Sequence, residues 1–150
     1  MWKEVTMKVT KEVTFDSAHM LSNYQGKCEN LHGHTYKLQV SVEAPLHSEG
    51  NEECMVMDFN NLKNAIDAVT GAFDHAIIFS DTTYRGEAEN ALLNWADKYG
   101  MNYVVIYAGK STSECIATEI KARLSCYLVD VSMPNITVRV WETPTSFVEA

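Results

Sequence analysis

The chain of 150 residues carries 20 Asp and Glu against 12 Lys and Arg, a formal charge of −8, with 46% hydrophobic and 21% charged residues. That size is one domain with enough core to need no disulfide staples, so residues 1–150 read as a single domain. The acidic balance argues against nucleic acid, which calls for a basic stripe, and no apolar run approaches the roughly 18 residues of a membrane span.

The opening Met1-Trp2-Lys3-Glu4-Val5-Thr6 lacks the basic and then apolar layout of a secretory signal. The cysteines at 28, 54, 115 and 126 form no C-x-x-C pair. Free thiols and a cytoplasmic location are the expectation. From Val5 to Phe15 the odd positions are apolar and the even ones polar, the period of a half-buried strand. Lys11 interrupts the odd face and marks a strand end or a bulge. Continued in register, the same face carries Ser17 and His19. Leu21 to Lys27, with Ser22, Asn23 and Gly26, reads as a loop that delivers Cys28. A second alternation sets Tyr36, Leu38, Val40 and Val42 against Lys37, Gln39, Ser41 and Glu43, and its apolar face also holds His32 and His34. Histidines at i and i+2 project to one side of a strand, and Gly33 between them leaves room for close approach. With His19 they match a catalytic zinc plan of three protein ligands and one open position, against the plainer reading of hydrogen-bonded strand histidines. Pro45 ends the strand, and His47 to Glu53 is an exposed loop in which His47 has no chemical role.

Asp58 is placed to cap a helix whose buried stripe is Leu62, Ala65, Ile66 and Val69, with Gly71 closing it. In the extended segment Phe73 to Phe79, Asp74 and His75 are neighbours and point to opposite faces unless the backbone turns between them. A second helix spans about Arg85 to Tyr99, with Ala88, Leu92, Trp95, Ala96 and Tyr99 as its core stripe and Gly100 as its stop. After a strand over Tyr103 to Tyr107, the capping-box pattern Ser111-Thr112-Ser113-Glu114 opens a third helix with Ile116, Ala117, Ile120, Leu124 and Leu128 inside. Capping alone accounts for Glu114. In the last strand Glu142 falls in register with Ile136, Val138 and Val140, and a carboxylate at the end of an apolar face wants a partner: a lysine, a chain end or the amino-pyrimidine edge of a ligand. This order of elements fits an α+β domain with helices on one face of an antiparallel sheet.

Six motifs stand in one order along the chain: Phe15-x-x-Ala18-His19, Cys28-x-x-x-His32-Gly33-His34-x-Tyr36, Met57-Asp58-Phe59-x-x-Leu62, Phe73-Asp74-His75, Thr112-x-Glu114 and Trp141-Glu142-Thr143. Together they resemble the signature of the 6-pyruvoyl-tetrahydropterin synthase and 6-carboxytetrahydropterin synthase family. The resemblance implies the tunnelling fold, in which subunits join their sheets into a trimeric barrel, usually pair into hexamers, and build active sites at subunit junctions. It implies zinc on His19, His32 and His34, and Cys28 as general base. Asp74 and His75 would assist proton transfer, Glu142 would anchor the pterin ring, and Thr112 and Glu114 would line its pocket. The implied substrate is 7,8-dihydroneopterin triphosphate. In the carboxy branch it yields 6-carboxy-5,6,7,8-tetrahydropterin, acetaldehyde and triphosphate for queuosine and 7-deazaguanine synthesis. The spacing from Cys28 to His32 is like that branch and shorter than in the pyruvoyl branch. Glu29, beside Cys28, is similar to a glutamate in relatives that cleave dihydroneopterin for folate synthesis, which leaves pyruvoyl and aldolase-like activities as alternatives. A zinc- and pterin-binding protein without turnover is a third.

Overall fold

A computed structural model describes residues 5–129 and 135–150; the first four residues, which were read for a secretory signal, and residues 130–134 lie outside it. The two alternating segments become the two longest strands, β1 (Thr6–His19) and β2 (His32–Pro45), paired antiparallel from Thr6↔Pro45 to His19↔His32 without a register shift. A period-two pattern with one buried face fixes pairing strongly, because a slip by one residue would turn every core side chain to solvent. Lys11 pairs with Val40 inside this unbroken ladder, so it marks neither a strand end nor a bulge.

Among the described residues the sheet has six strands in the order β4-β3-β1-β2-β5-β6, with β3 (Ala76–Phe79), β4 (Tyr103–Val105), β5 (Asn135–Thr143) and β6 (Ser146–Glu149). It is antiparallel across β1, β2, β5 and β6 but parallel across β1, β3 and β4. The sheet is therefore mixed rather than wholly antiparallel: after β2 and a helix the chain re-enters as β3 beside β1 and in its direction, and the crossover through a second helix returns it again in that direction as β4. β6 was not foreseen; Pro144 and Thr145 turn the chain after β5, and four residues are too few for a clear alternation.

Helices α1 (Phe59–Thr70) and α3 (Ser113–Ser125) pack on the face that carries Phe15, Tyr36, Leu38, Val40, Val138 and Val140, all at 2% exposure or less. α1 begins where expected, with the Asp58 carboxylate accepting from Asn60 N–H at 2.7 Å, and it buries Leu62, Ala65, Ile66 and Val69. Each such large side chain contributes about 1.5–3 kcal/mol by burial. α3 begins one residue later than the capping-box pattern suggested: Thr112, not Ser111, is the cap, and Glu114 is exposed in the first turn.

α2 (Glu87–Tyr99) departs most from expectation. Its stop is as read, with Gly100 at φ 66 in the left-handed region. Its stripe is not core, since Trp95 and Tyr99 are exposed and only Ala96 and Glu89 are buried. Periodicity reports an apolar face but not whether the chain itself covers it. All four cysteines are free, and among the described residues no helix is long and apolar enough to cross a membrane.

Candidate active site

The β1–β2 pairing brings His19 opposite His32 and Ser17 opposite His34, so the three imidazoles meet at one end of the hairpin on its core face. Gly33 sits where a side chain would come within 3.2 Å of the Ser17 carbonyl oxygen, so the smallest residue permits the close pairing between the two histidine strands. The ring centroids lie 4.6 to 5.2 Å apart, and one nitrogen from each ring falls within 4.8 Å of the others.

Backbone carbonyls set how two of the rings face. His19 donates from Nδ1 to the Ser111 carbonyl at 2.6 Å, and His32 donates from Nδ1 to the Asn30 carbonyl at 2.7 Å. With those protons on Nδ1, both Nε2 atoms present lone pairs, and they stand 3.1 Å apart. Tetrahedral zinc with nitrogen ligands would hold them at about 3.3 Å. Glu142 adds a carboxylate oxygen 3.3 Å from His19 Nε2 and 3.2 Å from His34 Nε2, the latter close enough for charge pairing but not aligned as a hydrogen bond. No lysine or arginine among the described residues pairs with Glu142. Converging lone pairs and an anion, without a cation from the chain, fit a divalent metal, and outer carbonyls that fix histidine tautomers are the usual support of such a site.

Electrostatics agree. Burial lowers the pKa of His34, with His19 and His32 adding to that effect and Glu142 opposing it, so the ring favours the neutral form that binds metals. Tyr36 lies behind the cluster, stacked on Phe15 at 5.1 Å, and burial, reinforced by the nearby Glu142 carboxylate, pushes its phenol far up. Its hydroxyl, His34 Nε2 and the Ser113 hydroxyl are buried side-chain atoms without a hydrogen-bond partner.

A pocket of about 300 Å³ opens on this cluster, lined by His19, Cys28, Thr112, Glu114 and Glu142 among others. Cys28 reaches it from a short 3-10 helix, Lys27–Glu29, on the loop between β1 and β2. The neighbouring Glu29 is exposed and does not line the pocket. A larger cleft of about 580 Å³ near His47, Glu52 and Tyr127 contains none of these groups, so the smaller pocket is the one with chemistry.

Asp74 and His75 lie elsewhere. His75 adopts φ 55, a turn that brings its Nδ1 within 3.0 Å of Asp74 Oδ1, so the two side chains pair although an extended backbone would have parted them. They gather with Asp16, which accepts a hydrogen bond from Thr35 Oγ1, and Asp16 and Thr35 point to the opposite face from His19 and His34. In one chain the acid–histidine pair and the three-histidine cluster are thus separated by the sheet. The Ser111 and Asn30 carbonyls escaped the sequence reading because a backbone acceptor has no residue-type signal.

A family model described as 6-pyruvoyl tetrahydropterin synthase matches residues 8–150. The chain is 39% identical over 145 residues to the 6-carboxy-5,6,7,8-tetrahydropterin synthase of Haemophilus influenzae, covering 95% of this chain and 96% of the relative. Among solved structures it is similar to 6-pyruvoyl tetrahydropterin synthase from Plasmodium falciparum, at TM-score 0.70 and 22% identity over 97% of this chain and 96% of that one. The enzyme of the same name from Caenorhabditis elegans gives TM-score 0.69 and 21% identity over 100% and 98%. At those identities the two structures speak for the fold.

Proposed function

The chain belongs to the 6-pyruvoyl tetrahydropterin synthase family, and on that premise we propose that it is a 6-carboxy-5,6,7,8-tetrahydropterin synthase. Its substrate would be 7,8-dihydroneopterin triphosphate, converted with water to 6-carboxytetrahydropterin, acetaldehyde and triphosphate. The observation that carries this reading is that Cys28 shares one pocket with His19 and Glu142 while Glu29 stands exposed outside it. That arrangement favours thiol chemistry over the aldolase-like reading, in which Glu29 would act. Likeness to the Haemophilus enzyme over nearly the whole chain favours the carboxy branch over the pyruvoyl one.

His19, His32 and His34 would hold the metal, with zinc the natural choice for three imidazoles. Bound there, zinc supplies a Lewis acid that lowers the cost of removing protons beside the side-chain oxygens. Cys28 takes such a proton, which requires its thiolate. Glu142 holds the ring by accepting two parallel N–H donors, and Thr112 and Glu114 flank it. Asp74 and His75 move protons to and from the reacting side chain. Because they lie across the sheet from Cys28 in one chain, the pair would come from a neighbouring subunit, which makes a trimer or hexamer part of the reading. Residues 1–150 act as one domain in the cytoplasm, supplying queuosine and 7-deazaguanine synthesis.

The test is the product profile of zinc-loaded protein given 7,8-dihydroneopterin triphosphate and, separately, dihydroneopterin. Carboxytetrahydropterin with acetaldehyde from the first is the expected result. A pyruvoyl product, a hydroxymethyl-dihydropterin from the second, or pterin binding without turnover would each overturn it.

A further inference from the structure

Behind His19 lies a closed chain of polar groups that the proposed reaction does not use. Its centre is Glu89, which is fully buried, with an exposure of 0%. One carboxylate oxygen accepts the Ser80 N–H at 2.8 Å and the other accepts the Ser22 hydroxyl at 2.5 Å. The Ser80 hydroxyl oxygen accepts the Ser111 N–H at 3.0 Å, and the carbonyl of that same Ser111 accepts the His19 Nδ1–H. On the other side, the Ser22 hydroxyl also accepts the Gly86 N–H at 2.9 Å, and the Ser22 carbonyl accepts from Lys110 Nζ at 3.0 Å. Ser111 closes the ring by donating its hydroxyl to the Met20 carbonyl at 3.2 Å. Ser22, Ser80 and Ser111 are themselves buried.

We propose that Glu89 is a positioning residue of the metal centre, holding His19 with Nε2 turned toward His32 and His34. The proposal rests on reading the three histidines as a metal site. A buried carboxylate is costly unless its acceptors are filled, so the site constrains whatever supplies its donors. Here the donors are the backbone of Ser80, which carries the Ser111 peptide, and the side chain of Ser22, three residues after His19. Glu89 thereby fixes both the chain that leaves His19 and the carbonyl that sets its tautomer. Its placement also explains α2, a helix that buries just one apolar side chain, Ala96, and is tied down by a carboxylate instead. Gly86 before that helix fits the same purpose, since a Cβ there would lie 3.3 Å from the Ser22 side chain.

Zinc affinity, read by competition with a chromogenic chelator, is compared among the unmodified protein, Glu89→Gln, Glu89→Ala and Glu119→Ala. Glu119 is a second buried carboxylate, bound to Tyr107 N–H and Arg123 Nε, and serves as a matched control for lost stability. In the metal-free proteins, histidine-selective ¹⁵N NMR reads the His19 tautomer. Glu89→Ala is expected to weaken zinc about tenfold, the lower end of what outer groups that orient a ligand contribute, and to release His19 from the Nδ1–H tautomer. Glu89→Gln keeps one acceptor for Ser80 N–H and should recover most of the affinity. Unchanged affinity and tautomer in Glu89→Ala overturn the proposal, and so does an equal loss in Glu119→Ala at equal loss of melting temperature. If Glu89→Ala does not fold, Ser80→Ala, which deletes only the acceptor of the Ser111 N–H, carries the same expectations at about threefold. If the unmodified protein takes up no zinc, the metal reading falls, and the metal-free tautomer comparison alone decides the role of Glu89.

Discussion

Two clusters of histidine and carboxylate flank the same hairpin and differ in burial and in what holds them. On the core face His19 is 1% and His34 19% exposed, two rings are anchored through Nδ1 to backbone carbonyls, and the free nitrogens converge. On the other face the Asp74 and His75 side chains are 45% and 76% exposed, and they hold together by contacts among themselves, Asp16 and Thr35. The first is built in advance by one chain, which suits a centre that must keep a metal between turnovers. The second has its chemistry at the surface, as expected of groups completed by something outside the chain. On the proposed reading, burial organises one half of the site and assembly would complete the other.

Substitutions that attack the prebuilt face should have the largest effects. On the proposed reading, His34→Ala leaves two of the three imidazole nitrogens, and stoichiometric zinc uptake is expected to disappear, as read by metal analysis after dialysis. Cys28→Ala leaves the histidines intact, so zinc should remain while kcat falls by about 10²–10⁴-fold, the range for loss of a general base. Gly33→Ala forces a methyl against the Ser17 carbonyl at 3.2 Å, and chemical denaturation should show a loss of about 1–3 kcal/mol together with weaker zinc binding. The exposed face should respond least. Asp74 is held below the usual carboxylate range first by the Asp16 N–H that it accepts and then, against a small cost of burial, by His75. A depressed folded pKa means that its stabilising contribution is present above the unfolded value of about 3.9 and is lost as pH falls through the folded one. The Asp16 amide resonance should therefore stay fixed through mildly acid solution and shift only below that value, a step that Asp74→Asn removes.

The core-face histidine cluster was legible because strand alternation fixes phase. Once Val9, Val13 and Phe15 face inward, so do Ser17 and His19, and once Leu38 and Val40 do, so do His34 and His32. Helices α1 and α3 were legible through stripes that the sheet does cover. The α2 stripe was misread since an apolar period cannot say whether a neighbour exists for Trp95 and Tyr99. The Asp74–His75 pairing depended on one positive φ at His75 that its residue type does not announce. The tie from Glu89 through Ser80 and Ser111 to His19 joins residues 70 positions apart through backbone groups, and no local pattern records it.

The contrast between the two faces is tested most directly by complementation between two inactive proteins. Cys28→Ala keeps Asp74 and His75, and His75→Ala keeps Cys28 and the metal ligands. Each alone should be inactive on 7,8-dihydroneopterin triphosphate. Unfolded and refolded together, they should regain activity, because mixed assemblies contain junctions with an intact thiol from one subunit and an intact acid–histidine pair from another. If the mixture stays inactive while native mass spectrometry shows that mixed oligomers have formed, the pair does not act across a junction, and the division of labour between the two faces is wrong.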